Sequence, residues 1–172
     1  MQLWVQSGGG PLVVVPQAVV ETWDSTPGDP DVDEPTGWGD YERACEVDDH
    51  LGIVDVEGTQ ALVLGDMPDM TTYLPERQLF VRWQGAESEA WLLGSIDRAL
   101  DMAIWQCEVR WTVPGPALLF DSAWPGADLS VHQPGNHLAV DLLPGTYRVR
   151  HSSVEPDTDT MVGLVQLELL AD

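Results

Sequence analysis

The sequence predicts an α+β fold, mostly antiparallel sheet with two to three short helices, in a single domain spanning residues 1–172. Three observations predict it. The last third of the chain reads almost wholly as short strands separated by proline and glycine turns. Two earlier stretches repeat apolar residues every three or four positions, the signature of amphipathic helices. The 172 residues, 44% hydrophobic and including eight Trp, are enough to fill one sizeable core.

Leu3, Val5 and the run from Leu12 to Val15 flank Ser7-Gly8-Gly9-Gly10-Pro11, which predicts two short strands, or one bent strand, around a flexible turn. Ala18, Val19, Val20 and Trp23 follow Pro16 at spacings that suit a short helix with proline in its first turn. Residues 24–39 carry Pro27, Gly28, Pro30 and Pro35 with almost nothing apolar, and so form an exposed loop. Tyr41, Ala44, Cys45, Val47 and Leu51 then predict a helix with Glu42, Glu46 and Asp49 toward water, broken by Gly52. Ile53–Val56 and Ala61–Leu64 read as a hairpin around residues 57–60, and Leu79–Trp83 reads as a strand. A second helix runs from Ala86 to Met102, with Ala90, Leu93, Ile96, Leu100 and Ala103 on one face and Glu87 and Glu89 favourably placed at its amino end. Strands are expected over 107–113, 117–120, 137–142, 147–151 and 162–169, with Pro144-Gly145 as a type II hairpin turn. Tyr147 and Val149 alternate with Arg148 and Arg150, and Val165, Leu167 and Leu169 with Gln166 and Glu168, leaving each strand one wet face.

Charge narrows the functional classes. The chain contains no lysine, and its seven arginines face 29 Asp and Glu, for a net charge of −22. Such a field attracts basic protein surfaces and repels nucleic acid and anionic lipid, so neither is an expected partner. No apolar run reaches the ~18 residues of a membrane span and no cationic leader opens the chain, which points to the cytoplasm. Cys45 and Cys107 lack any CxxC or zinc spacing and are expected to be buried free thiols.

Motifs for catalysis are incomplete. Gly8-Gly9-Gly10 lacks the lysine of a phosphate loop and is better read as a tight turn. Ser122 sits in no Gly-x-Ser-x-Gly elbow, although His132 or His137 could approach it. Asp29, Asp31 and Asp33 alternate as in a calcium loop, but Glu34 stands where glycine is required. Asp48-Asp49-His50 has no recognised metal spacing and reads as a solvated helix end. No cofactor or metal is expected. The stronger signal is electrostatic: residues 21–49 hold eleven carboxylates against Arg43 alone, interleaved with Trp23, Trp38 and Tyr41. Aromatic anchors beside acids on an exposed loop suit the binding of an arginine- or lysine-rich protein surface.

Several segments resemble the immunity protein 21 family of bacterial polymorphic toxin systems. These are Trp4-Val5 with Gly8-Gly9-Gly10-Pro11-Leu12, Asp40-Tyr41-Glu42-Arg43-Ala44-Cys45 with Asp48-Asp49 and Leu51-Gly52, Ala61-Leu62-Val63-Leu64-Gly65-Asp66 and Thr72-Tyr73-Leu74-Pro75. Further along they are Leu79-Phe80-Val81-Arg82-Trp83, Leu119-Phe120-Asp121-Ser122-Ala123 and the run from Asp141 to Val149. The resemblance implies a protein that binds and blocks a cognate toxin without doing chemistry itself, and it carries no catalytic residues onto this chain. Charge then gives the expected partner surface as Asp29, Asp31, Asp33, Glu34, Trp38, Asp40, Tyr41, Glu42, Asp48 and Asp49, pressed against a basic toxin, with a nuclease as the expected class. The alternative is a small hydrolase using Ser122 with a histidine, or a carboxylate-bound metal. Exposed sheet edges leave the oligomeric state open.

Overall fold

The computed structural model describes residues 2–25, 39–65 and 67–171, and it is an α+β fold built on two antiparallel five-stranded sheets. Ten strands are β1 (Leu12–Pro16), β2 (Leu51–Val56), β3 (Thr59–Leu64), β4 (Thr71–Leu74), β5 (Leu79–Gly85), β6 (Gln106–Val113), β7 (Ala117–Asp121), β8 (His137–Val140), β9 (Gly145–Asp157) and β10 (Thr160–Leu169). Four short α-helices lie among the described residues: α1 (Asp40–Cys45), α2 (Glu89–Gly94), α3 (Ile96–Met102) and α4 (Leu129–His132). The first sheet has the order β2-β3-β1-β7-β8 and the second β4-β5-β10-β9-β6.

Alternation along the strands dictates the layering. On β1, Leu12 and Val14 point into the space between the sheets, where they meet Phe80, Trp111, Tyr147, Val165 and others from the second sheet. Val13 and Val15 point the opposite way and are covered by Trp23, Ala44 of α1 and Leu129 of α4. The second sheet likewise turns Val81, Val162 and Leu164 outward beneath Leu92, Ile96 and Ala99 of α2 and α3. Helices therefore cover both outer faces of a sandwich, so β1 can be apolar at every position.

Several expectations are corrected. The helix expected to reach Leu51 stops at Cys45, because Leu51 opens β2 opposite Leu64 and is buried between the sheets. In so short a helix Ala44 faces the core and Cys45 faces solvent, so Cys45 is an exposed thiol and Cys107 a half-buried one. The long second helix is two, parted at Gly94-Ser95, where the Ser95 hydroxyl donates to the Leu92 carbonyl at 2.7 Å. Ile96, Leu100 and Ala103 of the expected stripe do lie against the core, but in the first turn Ala90 is exposed and Leu92 is the buried residue, joined later by Ala99. Leu169, at the end of β10, is also exposed.

Pro144-Gly145 makes no hairpin, since β8 pairs with β7 and β9 with β10 and β6; the step carries the chain from one sheet to the other, with Leu142 buried between them. The hairpin between β2 and β3 does form, closed by Glu57 and Gly58 at φ 51° and 75°, the paired positive values of a type I′ turn. At the amino end, Val5 bridges to Thr71 in the second sheet while β1 lies in the first. The glycine turn at 8–10 is thus the crossing between layers, and the chain opens as two separate extended pieces.

Candidate functional site

The expected partner surface falls on α1 and its flanks. Asp29, Asp31, Asp33, Glu34 and Trp38, with the calcium-like spacing they include, lie outside the described residues. The chain on either side of them is tied together: the Asp40 carboxylate accepts from the Asp24 backbone N–H at 2.8 Å, and the Tyr41 N–H donates to the Asp24 carbonyl at 3.1 Å. Gly39 caps α1 in extended conformation, and Asp40 and Glu42 in the first turn suit its positive end.

The structure sorts the expected acids by what they touch. Asp40 is buried and ion-paired with Arg43, whose guanidinium also donates to the Asp55 carbonyl at 2.8 Å. The single cation of the segment is therefore spent within the fold. Glu46, Asp48 and Asp49, which follow α1, are exposed, and among the described residues neither Glu46 nor Asp48 is in an ion pair. The His50 backbone N–H donates to Asp49 Oδ1 at 2.7 Å and, with the Cys107 thiol, holds the Asp49 carboxyl below the usual carboxylate range, so it stays charged well into mild acid. Gly65 locks this acidic turn to the end of β3: its N–H donates to the His50 carbonyl at 3.0 Å, and a Cβ there would stand 2.2 Å from the Asp49 carbonyl oxygen.

Tyr41 is half-buried and brackets α1 against the glycine turn, where a Cβ on Gly10 would meet its ring at 2.8 Å. The neighbouring Cys45 thiol is the main cause raising its phenol above the ordinary value. Together Gly9, Gly10, Tyr41, Cys45 and Met67 line a shallow cleft of 250 Å³ beside the acidic turn. Sequence reasoning missed Met67, which is half exposed; its position after Gly65 gives no periodic signal. Trp23, interleaved with the acids in sequence, is a core residue: it meets Phe120 edge-on at 6.0 Å, and its indole N–H donates to the Ser122 carbonyl at 2.9 Å.

The residues of the hydrolase alternative serve the fold. Ser122 is fully buried and its hydroxyl donates to the Pro11 carbonyl at 2.5 Å, while Asp121 accepts from the backbone N–H groups of Gly8 and Ala123 at 2.9 and 3.1 Å. His132 stacks on Trp124, and His137 Nδ1 lies 3.0 Å from the Gln133 carbonyl. An Asp and a Ser that read as catalytic types thus fasten the glycine turn to the end of β7. Among the described residues no group of three or more His, Cys, Asp or Glu could hold a metal ion, and no helix is long and apolar enough to cross a membrane.

Comparison with known proteins gives one family: the model described as immunity protein 21 matches residues 3–160 of the 172. No curated protein and no solved structure matches the chain.

Proposed function

We propose, because this chain belongs to the immunity protein 21 family and is thereby an immunity protein against a toxin, that its partner is a basic toxin held against the acidic surface around α1. The toxin is a nuclease in this reading, since a nuclease needs arginines and lysines to hold substrate phosphates and those cations suit carboxylates equally well. Inhibition is by occlusion: the acids cover the groups that would bind substrate, and no chemistry on the toxin is required. The work is done in the cytoplasm of the producing cell, before the toxin leaves it, and the chain acts as one domain.

The observation that carries this reading is the pairing of charges around α1. Arg43 is committed to Asp40 and Asp55, leaving Glu46, Asp48 and Asp49 as an outward acidic rim beside the Tyr41 cleft. By their charge and character, Asp29, Asp31, Asp33, Glu34 and Trp38 are assigned to the same partner surface. Glu42 and Tyr41 complete it.

The test is the paired variant Asp48→Asn with Asp49→Asn against the cognate toxin. Rim charges contribute about 0.2–1 kcal/mol each and act mainly on association. The double variant should therefore bind several-fold more slowly at low salt with little change in dissociation. An unchanged association rate would overturn the assignment of this surface.

A further inference from the structure

A second surface lies on the opposite side of the sandwich, where α2, α3 and the turn between β9 and β10 meet. Four large apolar side chains stand in solvent there: Ile104 is 76% exposed, Trp91 53%, Met102 46% and Met161 41%. They line adjoining hollows. Met102, Ile104 and Met161 share one of 410 Å³ with Glu155, which with Met161 and Asp157 also lines the next, and Asp157 lines a third with Trp91. Exposed apolar groups this concentrated mark a contact surface more often than a bare one.

Trp91 is tied to the β9–β10 turn. Its indole N–H donates to Asp157 Oδ2 at 3.3 Å, and the same carboxylate accepts from the Thr160 hydroxyl at 3.1 Å and the Asp159 backbone N–H at 2.9 Å. A large ring fixed in place before binding loses little freedom on contact, which is the character of an interface anchor. The surrounding charge selects the occupant. Glu155, Asp157 and Asp159 rim the hollows with Arg98 as the neighbouring cation, on a chain of net charge −22. A second copy, nucleic acid or an anionic membrane would be repelled, whereas a cationic protein surface carrying an apolar knob fits both features.

We propose that this face is a second contact surface for the toxin, on which Ile104, Met102, Met161 and Trp91 supply an apolar grip separate from that of Tyr41 and Met67 near α1. The inference rests on the reading of a basic toxin partner, but it makes its own demand. Because α1 and α2–α3 cover opposite outer faces, substitutions in the two surfaces do not touch, and their effects on affinity should multiply.

The experiment measures binding of the cognate toxin to the full chain carrying Ile104→Ser with Met161→Ser, and to a control carrying Leu143→Ser, an apolar residue elsewhere whose exposure lies between theirs. All three positions are exposed, so the variants are expected to keep the fold, which a thermal melt of each variant checks before binding is compared. The double variant should lose tenfold or more in affinity, chiefly through faster dissociation, and the control should stay within twofold of the parent. Affinity within twofold for the double variant would overturn the second surface while leaving the toxin reading intact. Failure of the unaltered chain to bind its toxin would overturn both. Light scattering that shows a dimer abolished by the double variant would assign this face to a second copy and also overturn the proposal.

Discussion

Asp40 separates acids that build the fold from the acids proposed to face a partner. Its carboxylate is buried, accepts one hydrogen bond from the Asp24 backbone N–H and pairs with Arg43. Replacing it with alanine removes a charge-assisted bond to a backbone donor, about 1.5 kcal/mol at this partly wet site, and a partly exposed ion pair, about 0.5–1 kcal/mol. Neither abandoned group is sealed from water, since Asp24 is exposed and the Arg43 side chain is 33% accessible, so no further penalty for a buried orphan applies. The expected loss is about 2 kcal/mol, or roughly 4–8 °C in Tm for a chain of this length. Urea unfolding followed by tryptophan fluorescence measures it, because Trp23 lies in the core that α1 covers. Stability within ~0.5 kcal/mol of the parent would refute the assignment of Asp40 to the fold and return it to the list of available acids.

Other expectations follow from the same contacts. Ser122→Ala should cost about 1 kcal/mol of stability, for the lost bond to Pro11, and leave toxin neutralisation unchanged; loss of neutralisation with stability intact would revive the nucleophile reading. All three tyrosines should ionise late in the native state. Burial pushes Tyr73 up to about 12 and also raises Tyr147, and Cys45 raises Tyr41. A phenol raised in the folded state is fully stabilising below its unfolded value of about 10 and loses that contribution as pH climbs toward the folded value. Stability should therefore decline above about pH 10, and phenolate absorbance should lag in the native chain relative to the unfolded one; coincident titrations would contradict the burial.

Much of the fold is legible in the residues themselves. Alternation identified most of the strands, and Glu57-Gly58 closes a hairpin that the flanking apolar runs announce. What failed did so for identifiable reasons. Leu51 satisfies helical spacing from Tyr41 and also strand alternation with Ile53, and only pairing with Leu64 decides between them. Pro144-Gly145 has the chemistry of a tight turn, yet a local signal cannot tell a hairpin from a crossing between sheets. β4 is four residues long and was recognisable only as a family-like segment, too short to carry a period.

The proposed surface was legible in charge and not in exposure. The excess of carboxylates over residues 21–49 is plain in the sequence, but Asp40 and Trp23 belong to the interior, and no pattern separates them from their exposed neighbours. Trp91, Ile104 and Met161 stood unnoticed because the buried Leu92, Ile96, Ala99, Val162 and Leu164 of the same or adjoining elements set the visible apolar pattern. Their meeting depends on the packing of α2–α3 against the β9–β10 turn.

The most direct measurement is the association rate of the unaltered chain with its cognate toxin as a function of ionic strength. Attraction between a carrier of net charge −22 and a basic toxin predicts a rate toward ~10⁸ M⁻¹s⁻¹ at low salt that falls steeply as salt rises, with a nearly constant dissociation rate. An association rate indifferent to salt would contradict the claim that this protein recognises its toxin through charge.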